Sequence, residues 1–338
     1  MVMPVYNGER YLVDSVASIL EQTHRDLELI CVDDGSTDQS YEILNWFARI
    51  DPRVRVFRQA NAGIVEALNR GCSVAQGPLI GRMDHDDIAQ PDRLALQLAF
   101  LRSRPACAVV GGAILEIDSD GAPLGVSQLP ADHEAILSGL LRRRTGHFHP
   151  TTLFRAEAWE AVSGYRKEYQ WVEDHDLWLR MSQRGALANL QTVVLCYRMH
   201  SSSICWQRSE SQRELMNRLL TEAHLVRGAA VPSEAIQDVA TSRTPAGPGK
   251  WVRAAAKGGY PSSVVKHLRQ LFASDAPSAY KSRMALEAVM RLPLGVLTRL
   301  MRCDPHLRVP SFPAWQNRWL REQGIAPPGN PVRSTRAA

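Results

Sequence analysis

The sequence predicts an α/β protein: a mostly parallel sheet flanked by helices, followed by a C-terminal helical extension. Three observations predict it. Short apolar runs alternate with helix-period segments through the first 120 residues, the repetition that parallel strands with crossover helices produce. Polar clusters stand directly after three of those runs, at Asn7, Asp33-Asp34 and Asp84 to Asp87, on the edge where such sheets gather ligands. Beyond residue 207 the strand pattern gives way to basic, amphipathic helical stretches.

"VMPVY" reads as the end of a first strand, and "GERYLVDSVASILEQ" puts Leu12, Val16, Ile19 and Leu20 on one helical face. "LELICVDD" is a β-rich run closing on the turn "DGSTD", where Ser36 or Thr37 can cap a helix carrying Ile43, Leu44 and Phe47. "VRVFRQ" is a third strand and "AGIVEALNRGCSVAQG" a third helix, stopped by Gly77-Pro78. "LIGRMD" is the fourth strand, and Pro91-Asp92 opens a helix behind it. "ACAVVGGAILEID" reads as a strand turning at "SDGAPLG", and residues 131–144 as a helix. "YQWVEDHDLWLRMSQRG" is an amphipathic helix closed by Gly185, and "LQTVVLCYRMHSSSI" a strand leading into a polar loop.

The chain has 338 residues, 45% hydrophobic and 22% charged, enough for one large domain with an appendage or two ordinary domains. We expect a unit over 1–206, a basic helical region over 207–326 with a Pro/Gly-rich joint at 242–250, and a disordered tail over 327–338. Six scattered cysteines without a C-x-x-C pair point to a reduced, cytoplasmic setting. "MVMPVYNGER" has no basic segment followed by an apolar stretch, so no signal peptide is expected, and no apolar run predicts a membrane-spanning helix.

The net charge of +5 conceals an asymmetry: residues 1–206 carry 20 Lys and Arg against 26 Asp and Glu, and residues 207–338 carry 20 against 9. The basic half suits an anionic partner or a solvated positive surface. Its basic helices either lie on an anionic bilayer, giving peripheral contact with the inner face of the plasma membrane, or pack against the first unit. Nucleic acid is not expected, because the aromatic residues do not interleave with the basic ones as a stacking platform requires.

"GRMDHDDIAQP" allows several chemistries. Carboxylates two apart at a strand end can turn together toward a hard cation such as Mg2+ or Mn2+, held jointly with substrate phosphates. The alternatives are a solvated acidic turn, or a helix cap by Asp87 or Asp92. Asp33-Asp34 can accept hydrogen bonds from a nucleotide's ribose or base. No G-x-G-x-x-G follows the first strand and no P-loop occurs, which argues against NAD-type and P-loop designs and leaves a nucleotide held by another turn.

Taken in order, "MPVYNGERYLVDSVASILEQT", "ELICVDDGSTDQS", "NAGIVEALNRG", "GRMDHDDIAQPDRL" and "VEDHDLWLR" resemble the successive motifs of glycosyltransferase family 2. The resemblance implies a GT-A fold and a nucleotide-diphospho-sugar donor. It implies that Pro4, Val5, Tyr6 and Glu9 border the nucleotide, that Asp33 and Asp34 bind its base and ribose, and that Asn61, Gly63 and Asn69 shape the donor pocket. Asp84 would touch the ribose or the metal, and Asp86 would ligate the metal bridging the diphosphate. In "EDHD" the general base would be Asp174 first and Glu173 second. His149 and His200 match histidines that approach the diphosphate or the metal.

Such an inventory has chemical sense. Growing charge on a departing nucleoside diphosphate calls for a metal ion, and an attacking hydroxyl calls for a carboxylate to take its proton. A single displacement inverts the anomeric centre. The sequence therefore leads us to expect an inverting, metal-dependent transferase. It would move a sugar, from UDP foremost, to a glycan or polyprenyl-linked acceptor in surface polysaccharide synthesis. Only Met1, Val2 and Met3 precede "PVYN", so either the first strand is unusually short or the start is placed too late. A Q-x-x-R-W string, the mark of processive members, is absent; Gln316, Arg318 and Trp319 come nearest, which favours single addition. The rivals are a sugar nucleotidyltransferase and a non-catalytic nucleotide-sugar-binding relative.

Overall fold

The computed structural model describes residues 1–200, 209–230, 247–302 and 309–323. The boundary expected at 206–207, most of the 242–250 joint and the 327–338 tail lie outside the described residues. Three strands, β1 (Val2–Val5), β2 (Leu29–Asp33) and β3 (Val54–Arg58), form an all-parallel sheet. Helices α1 (Glu9–Leu20) and α2 (Ser40–Ile50) make its crossovers. Side chains alternate between two cores: Val2, Ile30 and Val32 face one, while Met3, Val5, Leu29 and Cys31 face the other. Burial on both faces is why these strands read as continuous apolar runs rather than alternating ones.

Four residues suffice for β1 because both of its edges are paired. Ile30 N donates to Met1 O at 2.8 Å on one side, and Met83 N donates to Val2 O at 3.2 Å on the other. The second contact joins β1 to the segment after α3 (Ile64–Ser73) and β4 (Leu79–Gly81), through a parallel bridge from Val2 to Arg82.

The second sheet runs β4, β8 (Leu153–Arg155), β6 (Cys107–Ile117), β9 (Ala186–Arg198), β5 (Ile88–Ala89), with β7 (Pro123–Ser127) paired to β6 as the hairpin arm. Its central pair β6 and β9 is parallel, while the remaining pairs are antiparallel. Helix α4 (Arg93–Ser103) starts two residues after Pro91, and α5 (His133–Leu140) is capped by Asp132, which accepts from Ala135 N at 2.9 Å. A short helix, α6 (Ala156–Glu160), follows β8. Helix α7 (Glu173–Met181) is shorter than the 169–185 expected, because Trp171 takes a left-handed φ of 86° that breaks the helix before Glu173. The expected cap of α2 is also corrected: Gln39 holds that position, and Ser36 and Thr37 are turned toward the β1 loop instead.

Helix α8 (Ser209–Val226) adds Leu219, Leu220 and Ala223 to the core shared with α3, α5 and α7. Helices α9 (Pro248–Gly258), α10 (Pro261–Ala273) and α11 (Ser278–Arg302) build a separate small core closed by Leu124 of β7. Helix α12 (Pro313–Glu322) returns to the first sheet. There Trp319, 6% exposed, packs edge-on against Trp46 at 5.5 Å, and Trp46 Nε1 donates to Glu322 at 2.7 Å. Gln316 Nε2 donates to Asp14 at 2.8 Å, so the Gln316 to Trp319 string packs α12 onto α1 and α2. Among the described residues no helix is long and apolar enough to cross a membrane.

Candidate active site

The loops after β1 and β2 meet at the carboxyl edge of the parallel sheet and bind each other reciprocally. Asn7 N donates to Ser36 Oγ (3.0 Å), and Thr37 N donates back to Asn7 Oδ1 (2.8 Å). Glu9 N donates to Asp38 (3.0 Å), while Gln39 N donates to the Glu9 carboxylate (3.0 Å). The Glu9 carboxylate is thus part of the zip between the loops. Pro4 and Val5 contribute carbonyls: His85 Nδ1 donates to Pro4 O at 3.3 Å, and Asp34 N donates to Val5 O at 2.8 Å. Tyr6 stands 47% exposed beside them.

Asp33 is fully buried, accepts from Ser36 N at 3.2 Å and lies 3.1 Å from Arg58 Nε as an ion pair without hydrogen-bond alignment. Asp34 folds the next loop over itself. Its carboxylate accepts from Gln59 Nε2 (2.8 Å), Ala62 N (2.9 Å) and Gly63 N (2.9 Å). Gly63 holds φ at 93°, a conformation that favours glycine, and this turn starts α3 with Asn61 exposed at its lip. Asn69, on α3, exchanges two hydrogen bonds with the Tyr165 backbone at 2.8 and 2.9 Å. The Tyr165 hydroxyl meets His149 Nε2 at 2.9 Å. His149 is buried against Trp178, and burial followed by the Arg82 charge drives its imidazole well below the ordinary range.

The acidic run after β4 is the electrostatic centre. Asp84, Asp86 and Asp87 place carboxylate oxygens within 4.8 Å of one another. Arg82, nearly buried, grips Asp84 bidentately at 2.5 and 2.6 Å. His200 Nε2 donates to Asp86 Oδ2 at 2.7 Å. Asp87 Oδ1 accepts from Arg198 N at 2.8 Å, whereas Asp87 Oδ2 is buried without a hydrogen-bond partner.

Burial, and next the charge of Asp86 and Asp84, pushes Asp87 well above the usual carboxylate range. Burial also raises Asp84, against the pull of Arg82. Asp86 goes down: burial opposes, but the His200 hydrogen bond and the His85 charge outweigh it. Neither Asp87 nor Asp92 caps α4 with its side chain, which removes the capping alternative. Three hard oxygen donors crowded together, one with an orphaned buried oxygen, fit a divalent cation.

Glu173 and Asp174 open α7, the two carboxylates lying in its first turn, where the helix dipole favours negative charge. Asp174 accepts from His175 N at 2.7 Å and is half-buried. Glu173 accepts from Trp171 N at 2.6 Å; burial, then Asp174, pushes its carboxyl up to about 7. Burial foremost, with smaller contributions from both carboxylates, raises the Tyr165 hydroxyl, and Arg82 draws Glu173 down. Arg82 thus acts on both the acid cluster after β4 and the head of α7.

Among the described residues, two clefts bear on the site. The larger, about 260 Å³, lies between α7 and α8, but Asp176 there is already paired with Arg166 and Arg180, so its charges are satisfied internally. The smaller, about 230 Å³, is lined among others by Asn7, Arg10, Tyr11, Asp86, His200 and Trp251; of the acidic cluster Asp86 reaches it, while Asp84 and the buried Asp87 stand behind its wall. Of the expected site residues Asp86 and His200 line it; Pro4, Val5, Tyr6, Glu9, Asp33, Asp34, Asn61 and Gly63 do not, and neither do Asn69, His149, Glu173 and Asp174.

Several contributors escaped the sequence reading. Arg82 and Arg198 each stand two residues before a site residue, Asp84 and His200, a strand-period signal that could have found them. Arg198 donates to Asp86 O at 2.8 Å and stacks over Tyr11 at 4.3 Å. Trp251 carried no signal: it enters the cleft from α9. Its region is held by Asp118, which pairs with Lys266 at 2.6 Å and lies 2.9 Å from His267 Nε2. His267 Nε2 makes no aligned hydrogen bond at that distance.

The model of the family "Glycosyl transferase family 2" matches residues 1–161. EpsE of Bacillus subtilis (strain 168) is 34% identical over 225 residues, 65% of this chain and 79% of that protein. Chondroitin synthase of Escherichia coli is 30% identical over 223 residues, 65% of this chain but 32% of that longer protein. Among solved structures, S. aureus TarS 1-349 in complex with UDP-GlcNAc superposes with a TM-score of 0.57 at 16% identity. It covers 92% of this chain and 93% of that one, a likeness of fold that includes the GT-A-type sheet.

Proposed function

Because the chain belongs to glycosyl transferase family 2 and is a glycosyltransferase, we propose that it is an inverting, non-processive enzyme dependent on Mg2+ or Mn2+. It moves one sugar from a nucleoside-diphosphate sugar, a UDP-sugar foremost, to a glycan or polyprenyl-linked acceptor. The setting is surface polysaccharide synthesis in the cytoplasm, at the inner face of the plasma membrane. The observation that carries this reading is the Asp84, Asp86, Asp87 cluster with its buried, unpartnered Asp87 oxygen. The relationship to chondroitin synthase supports a glycan acceptor.

The bound cation supplies charge neutralisation for the departing diphosphate. Asp86 and Asp87 would hold it, and Asp84, already gripped by Arg82, would complete the oxygen set. His200, donating to Asp86, fixes that carboxylate's rotamer. Asp33 and Asp34 terminate β2 next to the nucleotide side, and Asp34 keeps the 59–63 turn closed by its three hydrogen bonds. At the head of α7, Asp174 takes the proton of the attacking acceptor hydroxyl, which has a pKa far above that of a carboxylate and needs a base within reach. Glu173 beside it, protonated near neutrality, keeps the pair from carrying two charges. No enzyme nucleophile is required for a single inverting displacement.

Paired variants test this. Asp86→Ala should abolish Mn2+-dependent UDP-sugar turnover and weaken Mn2+-dependent UDP binding in calorimetry. Asp174→Asn should keep UDP binding while losing transfer by at least about a hundredfold, the usual worth of a general base. Full turnover by Asp86→Ala would overturn the metal assignment, and full transfer by Asp174→Asn the base assignment.

A further inference from the structure

The basic helices of the C-terminal region both pack and leave a face over. Helix α11 turns Met284 and Ala288, each almost wholly buried, onto the small core, with Leu292 half-buried in the same row. One turn further, Gly295 lies so close to α9 that a Cβ there would sit 2.2 Å from Ala256 O. Across from it, Gly259 at φ 74° meets the Gly295 backbone. This close approach fixes the rotation of α11 about its axis.

The opposite side of the same helix is apolar and exposed. Leu286, Val289, Met290 and Leu294 are 64%, 69%, 73% and 68% exposed. Their spacing of three, four and eight residues makes them one stripe. Single exposed apolar residues are ordinary; four in one row are a patch.

Charge decides what covers it. Residues 247–302 hold ten Lys and Arg against two Asp and Glu. One of those two acids, Glu287, is already paired with Arg253 at 2.7 Å and Arg283 at 3.3 Å. Arg283 and Arg291 are exposed on α11 itself, and Arg269 on the neighbouring α10. A second copy of this chain would bring the same positive charge and be repelled. A surface that accepts apolar side chains and positive charge together is an anionic lipid bilayer, onto which such a helix lies flat. The helix is too polar to cross it.

We propose that the Leu286, Val289, Met290, Leu294 face of α11 docks the enzyme on anionic phospholipid. The inference deepens, and in its biological purpose rests on, the polyprenyl-linked branch of the acceptor reading. Lateral capture on the bilayer brings the site to an acceptor confined there.

The test uses the full chain and vesicles of phosphatidylcholine with and without phosphatidylglycerol. The wild type should sediment with the phosphatidylglycerol vesicles, less so in high salt, and not with phosphatidylcholine alone. Val289→Ser/Met290→Ser should lower that partitioning roughly tenfold, with far-UV dichroism, melting temperature and soluble donor hydrolysis unchanged, since both side chains lie on the surface. The proposal falls if the wild type ignores phosphatidylglycerol, or if the double variant binds as well as wild type. It falls also if the wild type is a dimer that the variant dissolves, which would assign the face to a second copy. Vesicle binding without transfer to a polyprenyl-linked acceptor would sink the acceptor reading and leave the docking face standing; transfer without vesicle binding would do the reverse.

Discussion

Glu173→Gln separates the two carboxylates that share the head of α7. Burial and the neighbouring Asp174 raise the Glu173 carboxyl from 4.5 to about 7. The folded protein therefore binds this proton more tightly than the unfolded chain. The stability it contributes is complete below 4.5 and is lost as pH rises through about 7. At about 1.4 kcal/mol for each tenfold in proton affinity, the interval from 4.5 to about 7 corresponds to roughly 3 kcal/mol.

The glutamine keeps an oxygen to accept from Trp171 N and never ionises. Variant and wild type should therefore be similarly stable near the carboxylate range. By about pH 8 the variant should lead by roughly 3 kcal/mol, on the order of 8 °C in melting temperature. Thermal unfolding of both proteins across that pH interval reads the difference directly. A gap that stays constant with pH would refute the protonation argument. The same variant bears on catalysis: with Asp174 as base it should retain transfer. If it instead loses transfer while Asp174→Asn keeps it, the base is Glu173, and the acid limb of the rate profile should fall near 7.

Two further substitutions probe what holds the site in place. Asp34→Ala removes three hydrogen bonds to a nearly buried carboxylate and leaves the Ala62 and Gly63 amides unpaired. Urea unfolding should show a loss of roughly 3 kcal/mol, and a loss below about 1 kcal/mol would show that the 59–63 turn holds itself. Trp319→Ala empties the contact with Trp46, worth about 3 kcal/mol in a well-packed site. Hydrogen exchange should then accelerate in α12 while β1 and β2 stay protected; unchanged protection of α12 would mean that the Trp46–Glu322 bond alone holds it.

Much of this molecule was legible in one dimension. Continuous apolar runs over Val2–Val5 and Leu29–Asp33, each followed by helix-period residues, specify parallel strands covered on both faces, because burial on two sides leaves no polar alternation. The carboxylates after those runs had to collect at one edge, since each crossover returns the chain in the same direction. Short and antiparallel pieces were not legible: β5 has two residues and β8 three, too few to show a period. The expected cap at Ser36 failed for a related reason. Its hydroxyl has a local use in principle, but the tertiary fold brings Asn7 N within 3.0 Å, and a long-range partner displaced the local one.

The residue types at the strand ends and their order along the chain determined the family, the sheet and the acidic cluster, because those depend on local periodicity and on chirality common to all such folds. Only the tertiary structure decided how charge is distributed within the cluster, with Arg82 on Asp84, His200 on Asp86 and one oxygen of Asp87 left over. It also decided that Trp251 walls the cleft from a distant helix, and which side of α11 is packed and which is exposed. Those outcomes depend on contacts between residues far apart in the chain, where burial and Coulomb forces act through space and leave no mark in the local pattern.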